Sequence, residues 1–170
     1  MINVVVIGNG MVGHHYVEQL AAAEVEAHIT VIGGEPRPAY DRVHLSEFFS
    51  GRTAKDLALT TREHYAEIGV DAYFGDPVIS IDRDEKKVRT ESGREFTYEK
   101  LVLATGSYPF VPPVKGNNHK PCVVYRTIDD LGNIQAQAKE AKVGVVVGGG
   151  LLGLEAANAV QNLGLETHVV

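Results

Sequence analysis

Residues 2–23, INVVVIGNGMVGHHYVEQLAAA, decide the fold class that we expect for this chain. The run Asn3–Ile7 is apolar and rich in β-branched residues, and it lacks polar alternation. Such a run is typical of a strand that is covered on both faces in a parallel sheet. A glycine loop follows at once, and a helix is predicted behind it from an apolar spacing of four, four and three: Val12, Tyr16, Leu20 and Ala23.

The loop matches the pattern G-x-G-x-x-G at Gly8, Gly10 and Gly13. The first glycine permits the turn, the second lets a diphosphate approach the backbone, and the third lets helix and strand pack closely. The free N–H groups and the dipole at a helix start favour a phosphate. A second predicted strand, His28–Ile32, is followed by Glu35, where a carboxylate can bind ribose hydroxyls. The unit therefore predicts an adenine dinucleotide site; the alternatives are a glycine turn that binds nothing and a solvated Glu35.

Composition limits the classes of protein that fit. The chain has 170 residues, 44% of them hydrophobic and 22% charged, which is typical of a globular domain with its own core. A net charge of -6 disfavours a nucleic-acid partner. We expect no membrane partner and no signal peptide, because no apolar run is long enough and the first one stops at Gly8. The single cysteine, Cys122, excludes an internal disulfide and favours a cytoplasmic location, and we expect its side chain to be buried.

The middle of the chain changes in pattern. A short helical piece is predicted to end near Gly51, followed by a helix over Thr60–Ile68 and a strand over Val70–Phe74. Three short strands with tight turns then predict an antiparallel meander: Val78–Ile81, Lys87–Thr90 and Arg94–Tyr98. An apolar strand, Leu101–Ala104, ends at Thr105 and Gly106, and ligands gather at such carboxyl strand ends in doubly wound sheets.

The opening unit recurs 140 residues later. Gly8, Gly10 and Gly13 correspond to Gly148, Gly150 and Gly153, between a strand over 143–147 and a helix whose predicted apolar face is Leu152, Ala156, Val160 and Leu163. Two such loops predict two dinucleotide sites, with electrons passing from one dinucleotide to the other. We expect an α/β fold: a Rossmann-like parallel sheet with an antiparallel meander insert, then the start of a second, truncated Rossmann-like unit.

Five segments resemble one family of enzymes. The chain is similar to the N-terminal part of FAD-dependent pyridine nucleotide oxidoreductases, and among them to the assimilatory NAD(P)H-dependent nitrite reductase large subunits. The glycine motifs are common to the whole superfamily. The stretches at residues 40–46 and 105–109 are typical of a much narrower group of proteins. The segments are residues 6–14, 39–46, 104–109, 125–131 and 148–155.

The resemblance implies that the first loop binds FAD and the second binds NAD(P)H. Gly8, Gly10 and Gly13 would lie on the FAD diphosphate, Met11 would belong to the same site, and Glu35 would bind the ribose. Arg42 would lie near the diphosphate or the adenine, the backbone of Val78 against the adenine, and Thr105 and Gly106 on the flavin side. Gly148, Gly150 and Gly153 would hold the nicotinamide nucleotide, with Glu155 directed toward the flavin–nicotinamide contact. His14 is the histidine that we expect nearest the cofactor.

One position departs from the family pattern. Related rubredoxin and ferredoxin reductases carry a lysine where this chain has Glu47, and that lysine can pair with the acid equivalent to Glu155. Two acids that meet there would raise one another's pKa.

The implied domains are residues 1–115 for FAD, 116–142 as a connector with a helix, and 143–170 as the first part of the NAD(P)H domain. Nitrite reduction to ammonia would need iron–sulfur and sirohaem centres in a part beyond residue 170, and the nitrite reductase small subunit is an implied partner. The chain alone is then a fragment that should not reduce nitrite, and we expect no catalytic acid, base or nucleophile and no metal ligand in it.

Other interpretations stay open at this point. A rubredoxin- or ferredoxin-type reductase is the main enzymatic alternative, and an inert nucleotide-binding module is the non-enzymatic one. A disulfide reductase is disfavoured because residues 40–60 contain no cysteine. The choice between NAD and NADP is open. We also expect residues 143–170 to be poorly ordered or to pair with another copy of the chain through an exposed sheet edge.

Overall fold

A computed structural model describes residues 1–119 and 121–170 of the chain. The described residues form two compact units. The first contains Met1–Asp41 and Ala58–Ser107, and the second contains Arg42–Leu57 and Tyr108–Val170. The predicted connector includes Lys120, which lies outside the described residues. The domain limits at residues 115 and 142 remain a prediction.

The first unit is built on a parallel sheet. Its elements, in chain order, are β1 (Ile2–Ile7), α1 (Met11–Ala22), β2 (Ala27–Gly33), α2 (Arg62–Glu67), β3 (Val70–Phe74), β4 (Val78–Asp82), β5 (Lys87–Thr90), β6 (Glu95–Thr97) and β7 (Lys100–Leu103). Four strands pair in the order β3-β2-β1-β7, and every pairing is parallel. The remaining three form the predicted antiparallel meander, β4-β5-β6. The predicted α/β fold with a meander insert is therefore confirmed.

Strand β1 is covered on both faces, as its apolar run predicts. Val4 and Val6 pack on one side with Val17 of α1 and Tyr65 of α2. Val5 and Ile7 pack on the other side, in a cluster that includes Val88 of the meander. Because side chains alternate along a strand, an unbroken apolar sequence is needed when helices cover one face and a second sheet covers the other.

Leu20 of the predicted apolar face of α1 packs against the core, but the rest of that prediction is wrong. Val12 is 74% exposed and Tyr16 is 39% exposed, and Ala23 lies beyond the last helical turn. The buried face instead contains Gly13, His14 and Val17, with Leu20 and Ala21 packed against the core. The helix is rotated by one residue because Gly13, which has no side chain, is the residue that meets the β1 loop.

A buried carboxylate fastens the meander to the end of β3. Asp76 is 4% exposed, and it accepts hydrogen bonds from the N–H and the hydroxyl of Ser92 at 2.9 and 2.6 Å. Arg94 lies 3.5 Å away on the same carboxylate. These contacts, with the Ser92 hydroxyl first, lower the pKa of Asp76, so the carboxylate stays ionised and holds the turn between β5 and β6.

The second unit repeats the strand–loop–helix start. A 3₁₀ segment, Leu45–Ser50, ends at Gly51, and the later elements are α3 (Ile128–Ala138), β8 (Val143–Val146), α4 (Leu151–Asn162) and β9 (Glu166–Val169). β8 and β9 pair in parallel. α3 begins with a capping box in which the Thr127 hydroxyl accepts from the Asp130 N–H and the Asp130 carboxylate accepts from the Thr127 N–H.

One prediction about this unit is wrong in part, and a second is wrong outright. Of the predicted apolar face of α4, Ala156 is buried, together with Ala159, but Leu152 is 72% exposed. As in α1, the helix face is set by the glycine that meets the preceding loop, here Gly153, rather than by the bulkiest side chains. Cys122 is exposed, not buried. The expectation that residues 143–170 are poorly ordered or pair with another copy stays a prediction.

The longest helices in the part of the chain that the structure describes have 12 residues. None of them has the length and apolar character that crossing a bilayer requires.

The corrected face of α1 can be tested by truncating one residue on each side. Val17→Ala should lower the free energy of unfolding by about 2 kcal/mol, because it leaves a cavity in a closed core. Val12→Ala should change it by less than about 0.5 kcal/mol, since that side chain is exposed. Urea unfolding followed by far-UV circular dichroism measures both. Equal losses would contradict the structure.

Candidate dinucleotide-binding sites

The first loop has the backbone that its glycines predict. Gly8 has a φ of +108°, and its N–H donates to the carbonyl of Ile32 at 2.8 Å. A Cβ at Gly8 would lie 2.1 Å from the carbonyl oxygen of Ala104, just after β7. Only glycine accommodates both the positive φ and this approach of neighbouring backbone.

The other two glycines have opposite surroundings. A Cβ at Gly13 would lie 2.0 Å from the carbonyl oxygen of Gly8, so helix and loop touch backbone to backbone. A Cβ at Gly10 would meet nothing within 4 Å. Gly10 is also the N-cap of α1, and no side chain caps it. The loop is therefore open beside Gly10, and the first N–H groups of α1, beginning at Met11, are available to an anion.

Three neighbouring strands bring further predicted residues to the same edge. β2, β1 and β7 are parallel, so their carboxyl ends share one edge of the sheet. Glu35 follows β2, and Thr105 and Gly106 follow β7, both exposed. Gly106 has a φ of +69°. This is the edge at which open α/β sheets bind ligands.

Glu35 has a partner that the sequence did not reveal. The Tyr40 hydroxyl, which is buried, donates to Glu35 Oε2 at 2.8 Å. The Gly75 N–H donates to the Glu35 carbonyl at 2.8 Å, which fixes the backbone of the same residue. Val78, at the start of β4, packs against the core cluster that contains Val5 of β1 and Val88 of β5. The roles of Glu35 and Val78 remain predictions.

The second loop reproduces the first. Gly148 has a φ of +116°, and a Cβ at Gly153 would lie 1.8 Å from the Gly148 carbonyl oxygen. Gly150 is the N-cap of α4 without a side-chain cap, and a Cβ there would meet nothing within 4 Å. Two separate strand–loop–helix units therefore present the same open helix start, each with the features that a dinucleotide diphosphate needs.

Glu155 lies in an aromatic environment within the second unit. The buried hydroxyl of Tyr125 lies beside the Glu155 carboxylate but makes no well-aligned hydrogen bond among the described residues. The Tyr125 ring stacks on Phe49 with ring centroids 6.1 Å apart. Burial, and after it the charge of Glu155, raises the pKa of Tyr125 to about 12. Sequence reasoning did not select Tyr125.

Glu47 and Arg42, also in the second unit, have partners of their own. Glu47 Oε2 lies 2.9 Å from Arg52 Nε, so this acid faces a positive charge. Arg42 Nη1 donates to the carbonyl of Arg126 at 3.1 Å. The proposed contact of Arg42 with a dinucleotide remains a prediction.

Three side chains form a buried hydrogen-bonded network behind the first loop, and the sequence analysis did not predict it. The Tyr65 hydroxyl donates to Asn9 Oδ1 at 2.6 Å and lies 3.0 Å from His14 Nδ1. Tyr65 is fully buried and His14 is 5% exposed. No sequence signal joins Asn9 to Tyr65, because they are 56 residues apart.

The comparisons with known proteins agree with this geometry. Residues 2–170 match the family described as pyridine nucleotide-disulphide oxidoreductase. The chain belongs to this family. The nitrite reductase [NAD(P)H] large subunit of Klebsiella oxytoca is 53% identical over 168 residues, and the nitrite reductase (NADH) large subunit of Escherichia coli K12 is 50% identical over 171 residues.

A solved structure shares the whole fold of this oxidoreductase chain. The NADH:rubredoxin oxidoreductase of Clostridium acetobutylicum superposes with a TM-score of 0.88 at 25% identity, covering 99% of this chain and 44% of that one. The two nitrite reductase relatives are matched over 98% and 99% of this chain but only 18% and 20% of their own length. The chain thus spans about a fifth of these relatives.

The contrast between Gly10 and Gly13 can be tested in the isolated chain. Gly13→Ala should lower the free energy of unfolding by about 3 kcal/mol, because its methyl group would collide with backbone that cannot move aside. Gly10→Ala should change it by less than about 1 kcal/mol, since its φ of -88° suits alanine and the space is open. Thermal and urea unfolding measure both, and a Gly13→Ala variant as stable as Gly10→Ala would contradict the close contact.

Proposed function

We propose that the first loop binds FAD, that the second binds NAD(P)H, and that this oxidoreductase chain serves an NAD(P)H-dependent nitrite reductase large subunit. The duplicated open loop carries the proposal. Both helix starts lack a side-chain cap, and both have empty space at the middle glycine of the pattern. A dinucleotide diphosphate fits such a loop because backbone N–H groups can reach its oxygens without steric hindrance.

The residues that would hold FAD lie on the first loop and the neighbouring strand ends, with Arg42 as a predicted addition. Glu35 is held by Tyr40, so its carboxylate is fixed at the end of β2, where a ribose would lie. FAD, when bound, supplies the chemistry that links a two-electron nicotinamide donor to one-electron acceptors. The chain's own contribution is binding and orientation. The residues are Gly8, Gly10, Met11, Gly13, Glu35, Arg42, Val78, Thr105 and Gly106.

Gly148, Gly150, Gly153 and Glu155 would hold the nicotinamide nucleotide. The Tyr125 hydroxyl lies beside the Glu155 carboxylate and is neutral at physiological pH, so it brings no charge to that acid. Position 47, where related reductases have a lysine, is Glu47 in this chain. The nitrite assignment draws on the two nitrite reductase relatives, and reduction to ammonia would use iron–sulfur and sirohaem centres outside residues 1–170, with the small subunit as a partner.

A rubredoxin- or ferredoxin-type reductase is the second candidate. It is favoured by the superposition on the clostridial rubredoxin oxidoreductase. Glu47 disfavours it, because a carboxylate that pairs with Arg52 cannot take the role of a lysine beside Glu155.

A substitution in one loop should weaken the binding of one dinucleotide and leave the affinity for the other unchanged. Gly10→Ala should weaken FAD binding by at least about tenfold, since its methyl group fills the space for the diphosphate, while leaving NADH binding unchanged. Gly150→Ala should do the reverse. Quenching of flavin fluorescence and of NADH fluorescence on titration measures the two affinities.

Gly132→Ala is the matched control, because this glycine lies in α3 with open space around it and belongs to neither loop. Its affinities should equal those of the wild type. A wild-type chain that binds neither dinucleotide, or a Gly10→Ala variant that binds FAD normally, would contradict the proposal.

A further inference from the structure

We propose that Tyr65 and His14 are positioning residues for the first glycine loop, and that protonation of His14 tightens dinucleotide binding there by fixing the side chain of Asn9. The proposal rests on the proposed function, because it assumes that this loop binds the FAD diphosphate. It concerns residues that lie behind the loop.

Asn9 is the loop residue that this network holds. It lies between Gly8 and Gly10, so the orientation of its side chain is coupled to the backbone that would face a diphosphate. Its Oδ1 accepts from Tyr65 at 2.6 Å, whereas its Nδ2 is buried and has no partner among the described residues. The Tyr65 hydroxyl is therefore the hydrogen-bonding group that anchors this amide.

The Tyr65 hydroxyl has only one proton and two neighbours. If it donates to Asn9 Oδ1, then His14 Nδ1 must carry a proton and donate to the Tyr65 oxygen. If neutral His14 is protonated on Nε2 instead, its Nδ1 accepts the Tyr65 proton, and Asn9 Oδ1 loses its donor. Neutral His14 thus permits two donor–acceptor orders, or polarities, of the His14–Tyr65–Asn9 hydrogen bonds. In only one of them does Tyr65 donate to Asn9, as observed.

Protonated His14 permits only one polarity of these two hydrogen bonds. An imidazolium donates from both ring nitrogens, so Nδ1 must donate to Tyr65, and Tyr65 must donate to Asn9. The other ring nitrogen, Nε2, then faces the Glu18 carboxylate at 3.4 Å, which accepts. Protonation of His14 therefore fixes the direction of the hydrogen bond from Tyr65 to Asn9, and it affects the glycine loop through this one buried hydroxyl.

The charged groups around His14 come from two helices. From α1, Glu18 favours the protonated form, and His15 disfavours it. From α2, His64 disfavours it, and its Nε2 also lies 3.2 Å from Glu18 and its Nδ1 3.9 Å from Glu67. Burial is the largest influence and lowers the pKa of His14 below its usual value of 6.5.

The sign of the pH dependence follows. The ligand-free chain at pH 7 holds His14 mostly neutral, because its pKa is depressed. Only the protonated form fixes the polarity in which the Tyr65 hydroxyl holds Asn9, so a diphosphate that needs the ordered loop binds that form more tightly. Affinity should therefore rise as the pH falls through the His14 pKa, and binding should take up a proton.

The decisive experiment measures the FAD dissociation constant from pH 5.5 to pH 8 for the wild type and three variants, with pH values set at roughly half-unit steps around the usual histidine range. Tyr65→Phe keeps the buried ring but removes the hydroxyl. It should bind about tenfold more weakly at the acidic end, the cost of one buried hydrogen bond, and its affinity should no longer change with pH. His14→Gln should also lose the pH dependence. His15→Gln, on the neighbouring exposed residue, should keep it.

A Tyr65→Phe variant that keeps the full pH dependence would overturn the proposal, because the proton would then act through space and not through the hydroxyl. Asn9→Ala provides a second route should Tyr65→Phe fold poorly, since it removes the amide from a partly exposed loop. Its FAD affinity should be as weak and as independent of pH. An Asn9→Ala variant with wild-type affinity and pH dependence would equally overturn the proposal.

A readout without FAD separates this proposal from the proposed function. The nitrogen chemical shifts of the His14 ring report its tautomer and its titration. Tyr65→Phe should change both, whereas His15→Gln should leave the tautomer unchanged, since His15 acts on His14 through its charge alone. If the wild type binds no FAD, the proposed function fails while the shifts still test the network. If the wild type binds FAD but the His14 shifts are the same in Tyr65→Phe, the network itself is refuted.

Discussion

The contact between the third glycine and the carbonyl of the first is the constraint on which both loops depend. With no side chain at Gly13, α1 starts so close to β1 that a single methyl group would lie 2.0 Å from the Gly8 oxygen. That closeness sets which face of the helix meets the sheet and leaves the helix start pointing into open space at Gly10. Packing and ligand access are thus consequences of one backbone contact.

Much of the architecture could be predicted because it is encoded over short distances. The unbroken apolar run of β1 predicts a strand covered twice, and the structure covers it with helices and with the meander. Gly51, Gly69 and Gly164 end helical segments in the left-handed region, as a local stop signal should. The Thr127 capping box begins α3, and Asp129 and Asp130 lie in its first turn, where acids favour a helix start.

What could not be predicted depends on partners far away in sequence. The spacing of Val12 and Tyr16 satisfies a helical period, but the period does not say which stripe faces the sheet. Likewise, Glu35 was selected for its place after β2, while the Tyr40 hydroxyl that holds it lies in a loop with no periodic signal. Asn9 lies between two glycines of the loop, and its partner Tyr65 is 56 residues away in sequence.

The two loops differ in their surroundings, and that difference separates local from tertiary causes. Gly8 is confined by Ala104 of the neighbouring strand end, whereas a Cβ at Gly148 would meet nothing within 4 Å. Both glycines nevertheless have nearly the same φ, +108° and +116°, and both helices begin without a side-chain cap. The conformation of the loop therefore follows from the strand–loop–helix sequence itself. The neighbouring strand and the Tyr65 network act on a shape that already exists, and they can adjust how firmly a ligand is held without being needed to form the place where it binds.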